Sequence, residues 1–500
     1  MGMAIRLVAI WALCMLAGVA SAATDRVALV LGLGAYQTIE PLDNTRNDAR
    51  AIAGALKGIG FDVTLSLDAT SSQLRQLMDD FAFRSETADL ALIYFAGHGV
   101  EVQGENFLIP VDADINSNLD VQRQSISLKQ LLTTVERARK MRIVILDSCR
   151  NNPLGDVIDL AKISPEATLT TNQTTRGGGG LAAAKPDRGT LVAFAAKDGQ
   201  VALDGTGGNS PYARALIDKM VKPGLEISLM FRQVRDMVLQ ETNNLQEPHT
   251  YGSLTGIPFY LAGAADGQVD ISGNIGQAAW AAIRPDQEEQ MIALANLGDT
   301  RSMLGLAYMR LNPSEGRFDP TEAVAFLEKA AGAGSAEAQF ELAKVYERGT
   351  GVPPDPARAL DLYQTAAAQN YADAINDLGF LHYQGGLGLA PDPQKALELF
   401  ERAADLRHPQ AQFNFAALID DGLIESKGPA DAAHYLYEAL RSGSSDVLDL
   451  LTSRPQMFSR QTRRALQGQL KDYDFYAGAL DGEFGPGTKK AIRLAYGLKE

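Results

Sequence analysis

The stretch RIVILDSCRNNP, Arg142 to Pro153, decides the fold. Its branched apolar residues describe a buried strand, which runs directly into Asp147, Ser148, Cys149 and Arg150 before an Asn-Asn-Pro turn. Similar short runs lie on either side: RVALVLGL from Arg26, FDVTLSL from Phe61, DLALIYFA from Asp89 and TLVAFAA from Thr190. Between them, Thr45 to Ile59, Ser71 to Phe83 and Leu128 to Lys140 carry apolar residues at three- and four-residue spacing. Alternating strands and helices predict a mostly parallel sheet with helices on both faces, over about residues 25–262. In such sheets the working groups gather at the carboxyl ends of the strands. Cys149 stands at one of those ends.

Cys149 is also the only cysteine outside the first twenty residues. With Cys14 lost in processing, a disulfide within the mature chain is excluded, and so is a cysteine-rich zinc site. A lone thiol is either a buried hydrophobe or a nucleophile, and a nucleophile needs a base. Of the five histidines, His382, His408 and His434 lie in a helical region far along the chain, and His249 follows the last clear helix of the sheet domain. His98 ends the run LALIYFAGHG, 51 residues before Cys149. Two strands of one parallel sheet therefore carry an imidazole and a thiol to the same edge. The glycines flanking His98 are expected to let the backbone turn sharply there.

The 500-residue length predicts about three domains. The hydrophobic and charged fractions, 46% and 21%, are those of a globular protein, and the net charge of -15 excludes a typical nucleic-acid partner. Arg6 precedes the apolar run LVAIWALCMLAGVA, which leads to Ala20-Ser21-Ala22, the small-x-small pattern of a secretory cleavage site. Residues 1–22 are read as a signal peptide, too short to span a membrane comfortably, and no later segment is long and apolar enough to span one. The expected destination is a bacterial periplasm. Ser164 to Arg188 contains four consecutive glycines and no periodicity, so it reads as a surface loop. Residues 263–287 read as a linker.

Beyond the linker, Ser302, Ala338, Ala374 and Ala411 recur at intervals of 36, 36 and 37, and Ala323, Ala359, Ala396 and Ala432 at 36, 37 and 36. Small residues at such periods mark close approaches between the helices of stacked hairpins, an all-α solenoid. The units resemble Sel-one-like repeats over about residues 288–445, which implies a surface for a protein partner. From 455 to 500 the turn DGEFGPGT sits between two short helices. Asp481, Gly482, Phe484, Gly485 and Thr488 give this stretch its resemblance to the peptidoglycan-binding-like domain. A small, truncated helical domain and cell-wall contact are the resulting expectations.

YFAGHGV followed by ILDSCRNNP resembles the caspase family in its broad sense, nearest to the caspase-like and metacaspase-type proteins of bacteria. The resemblance implies the caspase-haemoglobinase type of α/β sandwich. It also implies that Cys149 is the nucleophile and His98 the base, with backbone N–H groups of Gly99 and Cys149 forming the oxyanion hole. Asp48, in NTRNDA, and Asp147 match the two acids lining the primary pocket of metacaspases. Where animal caspases place a pocket arginine beyond the processing loop, this chain has Ala202-Leu203-Asp204. Acids in place of arginines favour a basic substrate residue, and arginine over lysine because its planar fork binds carboxylates bidentately. Arg176, Lys185 and Arg188 would then be sites of self-cleavage. No regular oxygen-ligand spacing of the EF-hand kind supports a calcium site, so no metal or cofactor is expected.

The leading reading is an exported cysteine endopeptidase acting on proteins or peptides. A binding or regulatory scaffold built on an inert domain of this type is the alternative, weakened because both His98 and Cys149 are present. A cell-wall hydrolase lacks any paired-carboxylate or zinc motif.

Overall fold

The computed structural model describes residues 26–149, 189–197, 202–205, 207–254, 258–263, 283, 285–313 and 316–498. The expected signal peptide, the loop with Arg176, Lys185 and Arg188, and most of the expected linker lie outside the described residues. Two compact units divide the chain, one drawn from 23–254 and 259–269, the other essentially from 270 onward.

The first unit begins with β1 (Arg26–Gly32), α1 (Thr45–Gly58), β2 (Asp62–Leu67) and α2 (Ser71–Ser85). There follow β3 (Leu90–Val102), β4 (Glu105–Leu108), α3 (Asn118–Gln124), β5 (Ile126–Ser127), α4 (Leu128–Val135) and β6 (Met141–Cys149). The unit continues with β7 (Thr190–Phe194), α5 (Pro211–Met220), α6 (Ile227–Glu241) and β8 (His249–Ser253). The main sheet has the order β2-β1-β3-β6-β7-β8. All neighbours are parallel except β8, which runs antiparallel to β7. The central strands are apolar on both faces because both faces are covered. Leu29, Leu31, Ile93, Phe95, Val144 and Leu146 share one core with Leu74, Met78 and Phe81 of α2 and Leu131 and Val135 of α4. Residues of the opposite parity, such as Val30, Leu92 and Ile145, are fully buried on the other face, where α1 packs on the sheet and α5 on α1.

Two differences from the sequence reading have physical causes. Helix α4 stops at Val135 rather than continuing to Lys140, because the backbone N–H groups of Arg139, Lys140 and Met141 are taken by the carbonyls of Ala88 and Asp89. The strand carrying His98 does not turn there. β3 runs on to Val102, changing partners from β6 to the antiparallel β4, with Gly99 opposite Leu108.

The second unit opens with α7 (Pro285–Asn296) and continues as the hairpins α8 (Thr300–Leu311) with α9 (Pro320–Gly332) and α10 (Ala336–Arg348) with α11 (Pro356–Ala368). Two further hairpins pair α12 (Ala372–Gln384) with α13 (Pro393–Asp405) and α14 (Pro409–Asp420) with α15 (Pro429–Arg441). Ala323, Ala359, Ala396 and Ala432 are fully buried, as are Ala338, Ala374 and Ala411. Asp319, Asp355 and Asp392 each cap a helix that starts with proline, which satisfies free N–H groups in the first turn. After α16 (Ser445–Ser453) come α17 (Arg460–Asp472) and α18 (Pro486–Tyr496), whose intervening turn wraps the buried Gln467. The Gln467 amide donates to Asp481, the Glu483 carbonyl and Thr488, and accepts from the Gly482 N–H at 2.7 Å.

Candidate active site

His98 and Cys149 are register partners across β3 and β6. Adjacent strands are spaced about 4.8 Å apart, so the sheet itself sets the two residues side by side. Glycine at 97 makes room: a Cβ there would lie 2.6 Å from the Tyr36 hydroxyl and 2.7 Å from the Phe95 ring. Gly99 similarly abuts the Ser148 hydroxyl, 3.0 Å from where its Cβ would be. The flanking glycines therefore serve close approach rather than a turn.

The imidazole is held from the loop between β1 and α1. The His98 backbone N–H donates to the Tyr36 hydroxyl at 2.7 Å, and the two rings lie 4.6 Å apart. His98 Nε2 lies 2.8 Å from the Glu40 carbonyl oxygen, an acceptor only, so Nε2 carries the proton and donates. Nδ1 is then the basic nitrogen. It is buried and makes no hydrogen bond among the described residues. Burial lowers the His98 pKa, against the raising influence of the Glu40 carbonyl, so the ring is neutral at pH 7.

Beside this pair lies an acidic recess. Asp48 Oδ1 accepts from the Asn209 amide at 2.8 Å and from the Ser210 N–H at 2.9 Å. Asp147 Oδ2 accepts from the Tyr94 hydroxyl at 2.9 Å and the Ser210 hydroxyl at 2.8 Å. Ser210 thus touches both acids while its hydroxyl also caps α5. Burial and the neighbouring Asp48 push Asp147 up to about 7, against the hydrogen bonds from Ser210 and Tyr94. Burial pushes Asp48 up to about 6, assisted by Asp204 and opposed by Asn209, Ser210 and Arg214. Asp204 is raised by burial, receives backbone hydrogen bonds from Asn44 and Asp43, and feels His98 electrostatically. The structure brings Asp48, Asp147, Asp204 and His98 together from four separate parts of the sequence.

Residues 25–257 match the family model of the caspase domain. These residues form a caspase domain. Sel1 repeat models match 300–335, 336–371 and 372–408, and a peptidoglycan binding domain model matches 459–495. The chain is 29% identical over 151 residues to human mucosa-associated lymphoid tissue lymphoma translocation protein 1, covering 30% of this chain and 18% of that protein. Its mouse homologue matches with the same identity and coverage. The chain thus spans less than a fifth of the length of the curated relatives it matches. Among solved structures, caspase-1 from Spodoptera frugiperda is 17% identical over 46% of this chain and 90% of its own, with a TM-score of 0.34. A Sel1 repeat protein from Oxalobacter formigenes is 28% identical over 24% of this chain and 89% of its own, with a TM-score of 0.23.

The caspase domain is that of a cysteine peptidase family, and the Sel1 repeats indicate protein interaction. No helix among the described residues is long and apolar enough to cross a membrane, and no group of metal-ligating side chains is found among them. Sequence reasoning missed Tyr36, the Glu40 carbonyl, Tyr94, Asn209 and Ser210. Of these only Ser210 left a local signal, the Ser-Pro pair that starts a helix.

Proposed function

We propose that the caspase domain is a cysteine endopeptidase that cuts after arginine, and less well after lysine, by a Cys149–His98 dyad. The observation that carries this reading is the free Nδ1 of His98, oriented by the Glu40 carbonyl and seated on the register partner of Cys149. Nδ1 takes the thiol proton, and the Cys149 sulfur attacks the scissile carbonyl carbon to form a tetrahedral oxyanion. Backbone N–H groups of Gly99 and Cys149 bind that oxyanion. As it collapses, the C–N bond breaks and the imidazolium gives its proton to the leaving amine. Water, deprotonated by the same nitrogen, then hydrolyses the thioester and releases the acid product.

Substrate charge is read by the acidic recess. Among the described residues the hydrogen bonds to Asp48 and Asp147 fall on one oxygen of each, Oδ1 and Oδ2 respectively. The other oxygens, with Asp204, are available to a guanidinium fork, which lysine cannot fill.

The wider reading follows the sequence. Residues 1–22 direct export, the Sel1 repeats recruit a protein partner, and the C-terminal domain contacts the cell wall. The segment with Arg176, Lys185 and Arg188 is a substrate for self-cleavage; wild type and Cys149→Ala incubated in parallel would reveal it by their fragments, and an active, uncut chain would sink it.

A fluorogenic peptide series differing only in the residue before the cut tests the central claim. Turnover is expected after arginine, about tenfold less after lysine given the loss of the bidentate contact, and none with Cys149→Ala. Cleavage after aspartate would overturn the pocket assignment. Turnover that survives in Cys149→Ala, or none in wild type, would overturn the dyad.

A further inference from the structure

The catalytic base is held by a loop, and the loop is held by a residue to which nothing above gives a role. Residues 33–44, between β1 and α1, supply the Tyr36 hydroxyl to the His98 N–H, the Tyr36 ring to its imidazole, and the Glu40 carbonyl to Nε2. At its start the loop is fastened by Asp68, the residue after β2. Asp68 Oδ1 accepts from the backbone N–H of Gly34 at 2.8 Å and of Ala35 at 2.9 Å, immediately before Tyr36. The Asp68 N–H donates to the Gly32 carbonyl at 2.9 Å, so the contact is closed from both sides.

Asp68 also adopts a left-handed backbone, with φ of 51°, a conformation that side-chain-bearing residues rarely adopt. Such conformations persist where surrounding contacts hold them, and here the carboxylate makes two charge-assisted bonds to the loop. Its ion pair with Arg46, at 3.4 Å and with both side chains part-exposed, contributes little by comparison. We infer that Asp68 is a positioning residue for His98, acting through the loop 33–44. Without the carboxylate, Gly34 and Ala35 lose their side-chain acceptor and the loop is left to the bonds of Leu33 N–H to the Ala96 carbonyl, Gln37 N–H to the Val111 carbonyl and the Thr38 hydroxyl to the Ala113 carbonyl, so Tyr36 and the Glu40 carbonyl shift and the His98 ring loses its placement. The inference rests on the dyad proposed above.

The test uses the full chain and a readout that needs no substrate, the rate of Cys149 alkylation by iodoacetamide between pH 5 and 9. In wild type the rate at pH 7 is expected to depend on His98, falling in His98→Ala. Asp68→Gly removes the carboxylate while accepting the left-handed backbone without strain. It is expected to lose about tenfold in alkylation rate at pH 7, and in kcat, with KM within twofold, the scale set by sub-ångström misplacement of a reacting group. Asp68→Asn keeps an oxygen for Gly34 and Ala35 and should restore both. Arg46→Ala should leave both unchanged.

If wild type depends on His98 and Asp68→Gly matches it across the pH range, the positioning role is overturned while the dyad stands. If wild type alkylation ignores His98, the dyad itself fails. Thermal unfolding is run in parallel. A melting point for Asp68→Gly below the assay temperature would make Asp68 a determinant of the fold and overturn the narrower role.

Discussion

Asp147 places an ionisable group where charge is hard to keep. Its carboxyl is raised from 3.8 to about 7 by burial and by Asp48, so the folded domain binds this proton more tightly than the unfolded chain does. The stabilisation from that proton is complete below about pH 4 and disappears as pH rises through about 7. Asp147→Asn removes the liability and keeps an oxygen for Tyr94 and Ser210. Denaturant unfolding should therefore show the variant more stable than wild type by up to about 4 kcal/mol at pH 8, with the gain shrinking as pH falls and vanishing below about pH 4. On the proposed specificity the same acids would make substrate binding pH-dependent, because a guanidinium needs them ionised. KM for arginine peptides should rise as pH falls from 7 to 5.5, while kcat follows His98, whose pKa lies below 6.5. A KM that stays flat over this range would remove Asp147 and Asp48 from the pocket. Asp147 and Cys149 were legible from one short stretch because a strand fixes their separation. The donors that tune Asp147 were not, since Tyr94 and Ser210 lie 53 and 63 residues from it in sequence.

Elements decide how far such a reading can go. The apolar runs of β1, β3, β6 and β7 announced themselves because a sheet covered on both faces tolerates little else, whereas β2 at one edge is only partly buried. β8, with the sequence HTYGS, has no apolar run; it lies at the sheet edge, where one partner suffices. The loop between β1 and α1 carries half of the site geometry yet has no periodicity to read. Its Tyr36 hydroxyl and Glu40 carbonyl act through atoms that many residues could supply. Gly97 shows the same limit from the other direction. Its sequence context suggested a turn, whereas in the fold it admits Tyr36 and Phe95 beside a continuous strand. Gly97→Ala should accordingly cost about 1–3 kcal/mol through overpacking. Turnover should drop with it as Tyr36 is pushed off His98, which thermal unfolding and peptide kinetics on one preparation would measure. Unchanged stability and rate would mean that the loop between β1 and α1 yields easily, and would weaken the case for Asp68 as well.

At the scale of the molecule, the second unit joins two features that the sequence presents as separate domains. The residues from 455 onward look like a free module, but Leu466, Leu470, Phe484, Ala491 and Ile492 share one core with Phe413, Leu436, Tyr437 and Leu440 of the last hairpin. Polar contacts reinforce the join: Arg441 donates to the Ala495 carbonyl at 2.9 Å, and Asp420 accepts from Ser459 N–H and the Thr462 hydroxyl. Tyr437 stacks on Tyr473 with centroids 4.9 Å apart. A solenoid must close its terminal hydrophobic face, and here α17 and α18 do so, which a repeat period cannot reveal because the cap breaks the period. Ile492 is fully buried in that core, so Ile492→Ala should cost about 2–5 kcal/mol. Because neighbouring units are coupled and distant ones are not, hydrogen exchange should quicken together in α14, α15, α17 and α18 while α8 and α9 keep their wild-type protection. Faster exchange confined to α17 and α18 would instead make the C-terminal domain an independent module, freed for wall contact without disturbing the repeats.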